Sequence, residues 1–373
     1  GLKLDSSATV HGGIYNSGTI SAIAYNSDAI AVDIDVDATL NDGLRTDNVV
    51  LLNENTILAQ IQTDTRSHDA VSKSSNSATA IGLTGPPGGI APLVEFVNRG
   101  SIQATSTHIR ESDTADIYIS EAGDNAVAFD FLMYNEPLNI TQEFLKNDAL
   151  LDANAVNSSS NPYGGGGDTD IDVNGDGDID TRDGIALPTI RGDIKFGNGN
   201  NIFAIEAGTV SGDISFGDGV DALNLSNEIS DDAGDADDAD DDYTAPITRF
   251  TGRITKGAGS LGISIDERTQ LHLVGQEGDD DADTENLAVA SLTLNGDLKL
   301  SIDHEKLSAD TPVLDVATLT LGSGSKITPA LVGLAEQPTT VKLISYANTP
   351  TLPTDFLSDE TPFIYNFSLT NED

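Results

Sequence analysis

Short alternations of apolar and polar residues, each closed by Gly, Asn or Asp, run along most of this chain. An apolar residue at every second position makes a strand with one buried face. Gly, Asn and Asp tolerate the left-handed backbone angles of a tight turn. The alternations recur in families. One reads Ile14-Tyr15-Asn16-Ser17-Gly18-Thr19-Ile20-Ser21-Ala22 and returns as Ala24-Tyr25-Asn26-Ser27-Asp28-Ala29-Ile30-Ala31-Val32. It returns again as Leu51-Leu52-Asn53-Glu54-Asn55-Thr56-Ile57-Leu58-Ala59 and as Phe96-Val97-Asn98-Arg99-Gly100-Ser101-Ile102-Gln103-Ala104. A second family opens on Gly192-Asp193-Ile194, Gly212-Asp213-Ile214 and Gly252-Arg253-Ile254, whose starts lie 20 and then 40 positions apart. A third pairs Val289-Ala290-Ser291-Leu292-Thr293-Leu294-Asn295 with Val316-Ala317-Thr318-Leu319-Thr320-Leu321-Gly322, 27 positions on. So short a unit cannot bury its apolar face alone, so neighbours must stack. The pattern predicts an all-β chain: a right-handed parallel β-helix with about 18 to 27 residues per coil. The alternative is a β-sandwich, which needs no turn glycine at a fixed phase.

Several segments break the alternation. Residues 62–77 are polar, and 231–246 hold a run of aspartates. In 140–183 the apolar residues Phe144, Leu145, Leu150 and Leu151 have helical spacing over Ile140 to Ala153, and a Ser/Asn/Gly-rich stretch follows. The expected organisation is β-helix coils over 1–286 with these three insertions, then C-terminal coils and a cap over 287–373.

Charge narrows the function classes. The chain has 18 Lys+Arg against 61 Asp+Glu, a formal net charge of -43. Such a field repels nucleic acid and anionic membrane surfaces and attracts divalent cations. There is no Cys, which removes disulfides, thiolate catalysis and Cys-bound metals. No apolar run is long enough to span a membrane. Gly1-Leu2-Lys3-Leu4-Asp5 reads as mature chain behind a processed leader, the alternative being a chain trimmed at that end.

The Asn-x-Gly-x-Ile units, the Gly-Asp-Ile-x-Phe-Gly-x-Gly coils and the Cys-free acidic composition resemble autotransporter passenger domains of Gram-negative bacteria. The stretches Leu319 to Ser325, Thr340 to Ala347 and Thr361 to Leu369 are similar to the capping region of such passengers. The resemblance implies a right-handed β-helix, export, and a place outside the cell or on its outer surface. It implies no particular activity.

The sharpest chemical motif is Asp172-Val173-Asn174-Gly175-Asp176-Gly177-Asp178-Ile179-Asp180-Thr181-Arg182-Asp183. Alternate Asp and Asn side chains aim hard oxygens at one centre, and Gly177 permits the bend of an EF-hand-type loop. The expected calcium ligands are Asp172, Asn174, Asp176, Asp178 through its carbonyl, Asp180 through water, and Asp183. Asp at the last position is shorter than the usual Glu, as in the dockerin-type loops this resembles. Gly164 to Gly167 before the loop and Pro188 after it argue against flanking helices. The alternative is an acidic turn without metal. A second stretch, Phe216-Gly217-Asp218-Gly219-Val220-Asp221-Ala222-Leu223-Asn224, resembles the RTX calcium nonapeptide, but Asn201 and Leu261 at the equivalent positions break the ligand column and favour a plain turn.

The five His residues sit in no catalytic motif, and Asp303-His304-Glu305 lacks a nucleophile partner. Bases are too sparse for the usual polyuronate lyase site. The favoured reading is a calcium-stabilised structural or adhesive surface protein, without enzymatic activity. Its partners would be divalent cations, itself, or surface glycans and proteins. The alternative is a calcium-dependent polysaccharide-active β-helix enzyme.

Overall fold

The computed structural model describes residues 1–35, 37–41, 49–64, 76–84, 94–111, 116–120, 125–144, 187–227, 248–276, 286–303, 312–333, 340–348 and 350–358. Among them every regular element is a strand, and no helix is long and apolar enough to cross a membrane. The strands form long parallel sheets, as the alternation predicts, and the chain is a parallel β-helix.

The chain visits three sheets in turn. The first holds Leu2–Leu4, Ala29–Asp35, Ala78–Thr84, Ala126–Phe131, Asp193–Phe196, Ile214–Phe216 and Ile254–Lys256. The second runs from Ile14–Asn16 through Val49–Asn53, Val94–Asn98, Leu138–Gln142, Asn201–Ile205, Val220–Leu225 and Ser260–Ile265 to Ser291–Leu294 and Leu319–Leu321. The third runs from Thr19–Tyr25 through Thr56–Asp64, Ser101–Glu111, Thr189–Arg191, Thr209–Ser211, Thr248–Gly252 and Thr269–Leu273 to Asp297–Asp303 and Lys326–Val332. Past Lys256 a smaller parallel sheet of Leu287–Val289, Leu314–Val316 and Ile344–Tyr346 takes over at the first position in each coil. One strand, Asp116–Ser120, pairs antiparallel with the end of Ser101–Glu111. Nine coils at about 4.8 Å each give a stack on the order of 40 Å.

Register makes the repeats physical. Ile20, Ile57, Ile102, Ile190, Val210, Phe250, Leu271, Leu298 and Ile327 form one inward column of the third sheet. Aromatic rings fill the middle coils: Phe96, Phe129 and Phe131 meet at centroid distances of 4.9 to 6.3 Å, and Phe196 stacks on Phe216 at 5.0 Å.

Three expectations change. Asn26 belongs to a different corner of the coil from Asn16, Asn53 and Asn98: it follows a third-sheet strand, with φ of 52°. Leu138–Gln142 is a strand where helical spacing was expected to begin, because Ile140 stacks under Phe96. The rest of that stretch, like most of the expected loops, lies outside the described residues. Coil length also exceeds the expected range. Partners in adjacent coils are 37, 45 and 44 residues apart near the N-terminus. The 40-residue step in the Gly-Asp-Ile family is a single coil, since Ile214 stacks directly on Ile254. Insertions lengthen coils at the corners without disturbing the strands.

Candidate functional site

The corner where the second sheet turns into the third carries the densest buried polar chemistry. Its first element follows from the Asn-x-Gly repeat. Asn16, Asn53, Asn98 and Gln142 fall on one column and point into the interior, each at 6% exposure or less. Asn16 Nδ2 donates to Asn53 Oδ1 at 2.7 Å, Asn53 Nδ2 to Asn98 Oδ1 at 2.8 Å, and Asn98 Nδ2 to Gln142 Oε1 at 3.3 Å. Gln142 Nε2 ends the ladder on the Ala207 carbonyl at 2.7 Å. The three asparagines also hold their own turns. Asn98, for example, donates to Gly100 O and accepts from Gly100 N, both at 3.2 Å. Buried amides need full satisfaction, and this ladder provides it.

The next position along the chain forms a second column. Arg99 Nε and Nη2 donate to Glu143 Oε1 at 2.8 and 2.6 Å, and Nη1 reaches Glu54 Oε1 at 3.5 Å. Tyr15 Oη donates to Glu54 Oε2 at 2.6 Å. The Arg99, Glu54 and Glu143 side chains are 1, 2 and 6% exposed. The sequence showed the Asn repeat, but it did not reveal this triad. Its members occupy a variable position of that repeat, and only register brings them together.

All six expected calcium ligands, Asp172, Asn174, Asp176, Asp178, Asp180 and Asp183, lie outside the described residues. The roots of their segment are described. It leaves after Phe144, beside Glu143, and returns at Leu187, two residues before Thr189. There Thr189 N donates to Gly100 O at 2.8 Å, and its carbonyl accepts from Asn98 Nδ2 at 3.3 Å. The candidate calcium segment is thus rooted in the ladder and triad.

The RTX-like turns are resolved, and they stack as the Gly-x-Gly spacing requires. A Cβ on Gly197, Gly199, Gly217, Gly219 or Gly259 would run into backbone of a neighbouring coil. Here the turn carbonyls meet the chain's own nitrogen donors. Asn201 Nδ2 donates to Gly197 O, Gly199 O and Asp221 Oδ1 at 3.2, 2.7 and 2.9 Å. Two coils on, Lys256 Nζ donates to Gly257 O and Gly259 O at 3.1 and 2.7 Å. Asp221 is buried between them, and burial raises its carboxyl above the ordinary range against the opposing pull of Asn201 and Lys256. Among the described residues no three His, Asp or Glu side chains converge as a metal site. His272 makes a 3.2 Å contact to Ser301 Oγ, and burial lowers its pKa, helped by Lys299 and Arg249.

Other acids bond the backbone of the neighbouring coil. Asp193 Oδ1 accepts from Asp213 N, Asp213 Oδ1 from Arg253 N, and Asp218 Oδ1 from Ala258 N, at 2.7 to 3.0 Å. Asn198 and Asn200 do the same for Asp218 N and Val220 N. No protein-family model, characterised protein or solved structure matches this chain.

Proposed function

We propose that this chain is an exported structural or adhesive scaffold of the autotransporter-passenger kind, working at or outside the bacterial surface and stabilised by calcium. The observation that supports the reading best is how the polar side chains of the coils are used. Asn16, Asn53, Asn98, Asp193, Asp213, Asn198 and Asp218 each bond to the next coil. Such residues keep a rod rigid while its outer faces stay open for contact. In this reading Asp172, Asn174, Asp176, Asp178, Asp180 and Asp183 hold one calcium ion. The ion ties the 145–186 segment to its roots at Glu143 and Thr189. It binds on the order of 10⁻⁴ M, in the range of extracellular modules.

Calorimetric titration with calcium, together with melting in calcium and in chelator, tests this. The native protein should take up one ion and melt higher in calcium, and Asp176→Ala should lose both effects. If the variant titrates and melts like the native protein, the calcium assignment fails. Release of new reducing ends from a panel of plant and algal polysaccharides, abolished by a point change in an outer sheet face, would replace the scaffold reading with an enzymatic one.

A further inference from the structure

The outward face of the third sheet carries aligned cations on a chain with a net charge of -43. Register places Arg191, Ser211, Thr251, His272 and Lys299 in one outward column. Thr209, Arg249, Gln270, Asp297 and Lys326 form the column beside it. The inward residues between them, such as Phe250, Leu271 and Leu298, are fully buried, which fixes the direction of the outward set. Arg191, Arg249 and Lys326 are exposed and Lys299 is half-buried. Taken along the stack, a cation comes every one or two coils, about 5 to 10 Å apart.

Among the described residues none of these four makes an ion pair. Elsewhere Lys3 reaches Asp5 and Asp33, Arg99 reaches Glu54 and Glu143, and Arg253 reaches Asp213. The strands Thr189–Arg191 through Lys326–Val332 hold only two acids, Asp297 and Asp303. Asp297 is turned to Gln270 Nε2 at 2.5 Å and Thr328 Oγ1 at 2.7 Å. Against these two carboxylates, four cations that make no ion pair among the described residues leave the strip with a net positive charge.

We infer that this strip is the docking face for an acidic polysaccharide laid along the helix axis. This deepens the adhesive reading and rests on it, by naming the ligand class. Arg and Lys supply the charge contacts. Thr209, Ser211 and Thr251 line the same columns and supply hydrogen bonds for sugar hydroxyls. The one Phe, Tyr or Trp on these strands, Phe250, points inward, so the strip lacks the row of large exposed rings on which successive nucleobases stack, and its sole outward ring is the half-buried His272. The remaining acids do not forbid docking. At physiological salt, charges beyond about 8 Å are largely screened, so the local strip decides.

The test measures binding of the full chain to immobilised heparin and polygalacturonate, with neutral dextran and duplex DNA as comparisons, in chelator at about 0.1 M salt. Chelator separates this result from the calcium assignment, which can fail without affecting it. The native chain should bind an acidic polysaccharide, weaken with salt, and ignore dextran. Arg191→Gln/Arg249→Gln/Lys299→Gln/Lys326→Gln should lose about tenfold or more, with an unchanged circular dichroism spectrum. The pairs Arg191→Gln/Arg249→Gln and Lys299→Gln/Lys326→Gln should each lose part of that, which keeps the test valid if the fourfold variant misfolds. Lys195→Gln, on the first sheet, should bind like the native chain. Absence of binding, binding indifferent to the strip variants, or strip-dependent binding to DNA as tight as to polysaccharide would overturn the proposal. So would binding that emerges only when the aspartates between 231 and 242 are replaced by asparagine, which would assign the strip to the chain's own insert.

Discussion

Replacing Arg99 by Met tests whether the buried triad holds the N-terminal coils together. The guanidinium makes its contacts at 2.6, 2.8 and 3.5 Å to two carboxylates in the coils on either side. With all three side chains at 6% exposure or less, water does not compensate for its loss. Removing the cation leaves two buried negative charges facing one another, and breaking such a pair costs about 3–5 kcal/mol. In a solenoid the effect falls on the affected coil and its neighbours. Hydrogen exchange reads it locally. The amides of Glu54, residue 99 and Glu143 donate to Asn16, Asn53 and Asn98 carbonyls at 2.9, 2.7 and 3.1 Å. They should exchange between about a hundredfold and a few thousandfold faster. The Ser260 amide on Gly219 O, far along the stack, should not change. The triple variant Glu54→Gln/Arg99→Met/Glu143→Gln should recover to within about 1 kcal/mol, because replacing a whole buried ion cluster by neutral groups is often neutral. A single Arg99→Met variant within about 0.5 kcal/mol of native by urea unfolding, with native exchange rates, would refute the reasoning.

Other sites give sharper signs. Tyr134 buries a hydroxyl with no partner in the structure, and burial, then Glu136, pushes its pKa up to about 12; Tyr134→Phe should raise the unfolding free energy measured in urea by about 1 kcal/mol. Asp221 has a raised pKa in the folded chain, so its contribution is greatest below the unfolded value and is lost as pH rises through the folded one. Asp221→Asn should therefore be neutral or stabilising at pH 7 and less so at pH 3, and a variant less stable at pH 7 than at pH 3, relative to native, contradicts that sign. Gly219→Ala drives a Cβ into the Gly199 carbonyl and should cost about 3 kcal/mol, while Gly18→Ala, with open space around it, should stay within about 0.5 kcal/mol in the same melts.

Much of the fold was legible in the sequence because stacking needs the same residue at the same phase. The Ile column and the glycine turns are backbone requirements, and they show as repeats. The 27-residue pair is likewise real, with Leu292 on Leu319 and Leu294 on Leu321. What escaped was chemistry set by register across long insertions. Glu54, Arg99 and Glu143 alternate in charge from coil to coil, so no repeat of one residue type links them. Arg249 and Lys299 are separated by residues of four different sheets. The misplaced Asn26 shows the converse: a local turn motif fits any corner of a coil, and only pairing tells which.

The coils use two different devices to hold register. At the ladder position the chain reads Asn16, Asn53, Asn98 and Gln142, then Ile205, Leu225, Ile265, Leu294 and Leu321. A one-residue slip among the first four would drop an amide out of its bonds and bury it unpaired, which costs more than the bond was worth. Beyond Gln142 the column is aliphatic and specifies register only by keeping its apolar face inward, and there the stacked Gly-x-Gly turns begin. The long 145–186 insertion falls at the change of device. The acidic 228–247 insertion leaves from the same corner two coils later, about 10 Å along the stack. Both lie where the second sheet turns into the third. Insertions are tolerated at such a corner because flanking strands are already fixed from the coil before: Thr189 by Gly100, and Arg249 by the Gly208 carbonyl at 2.9 Å. Both strands that follow the insertions are therefore held by stacking contacts that come from the preceding coil.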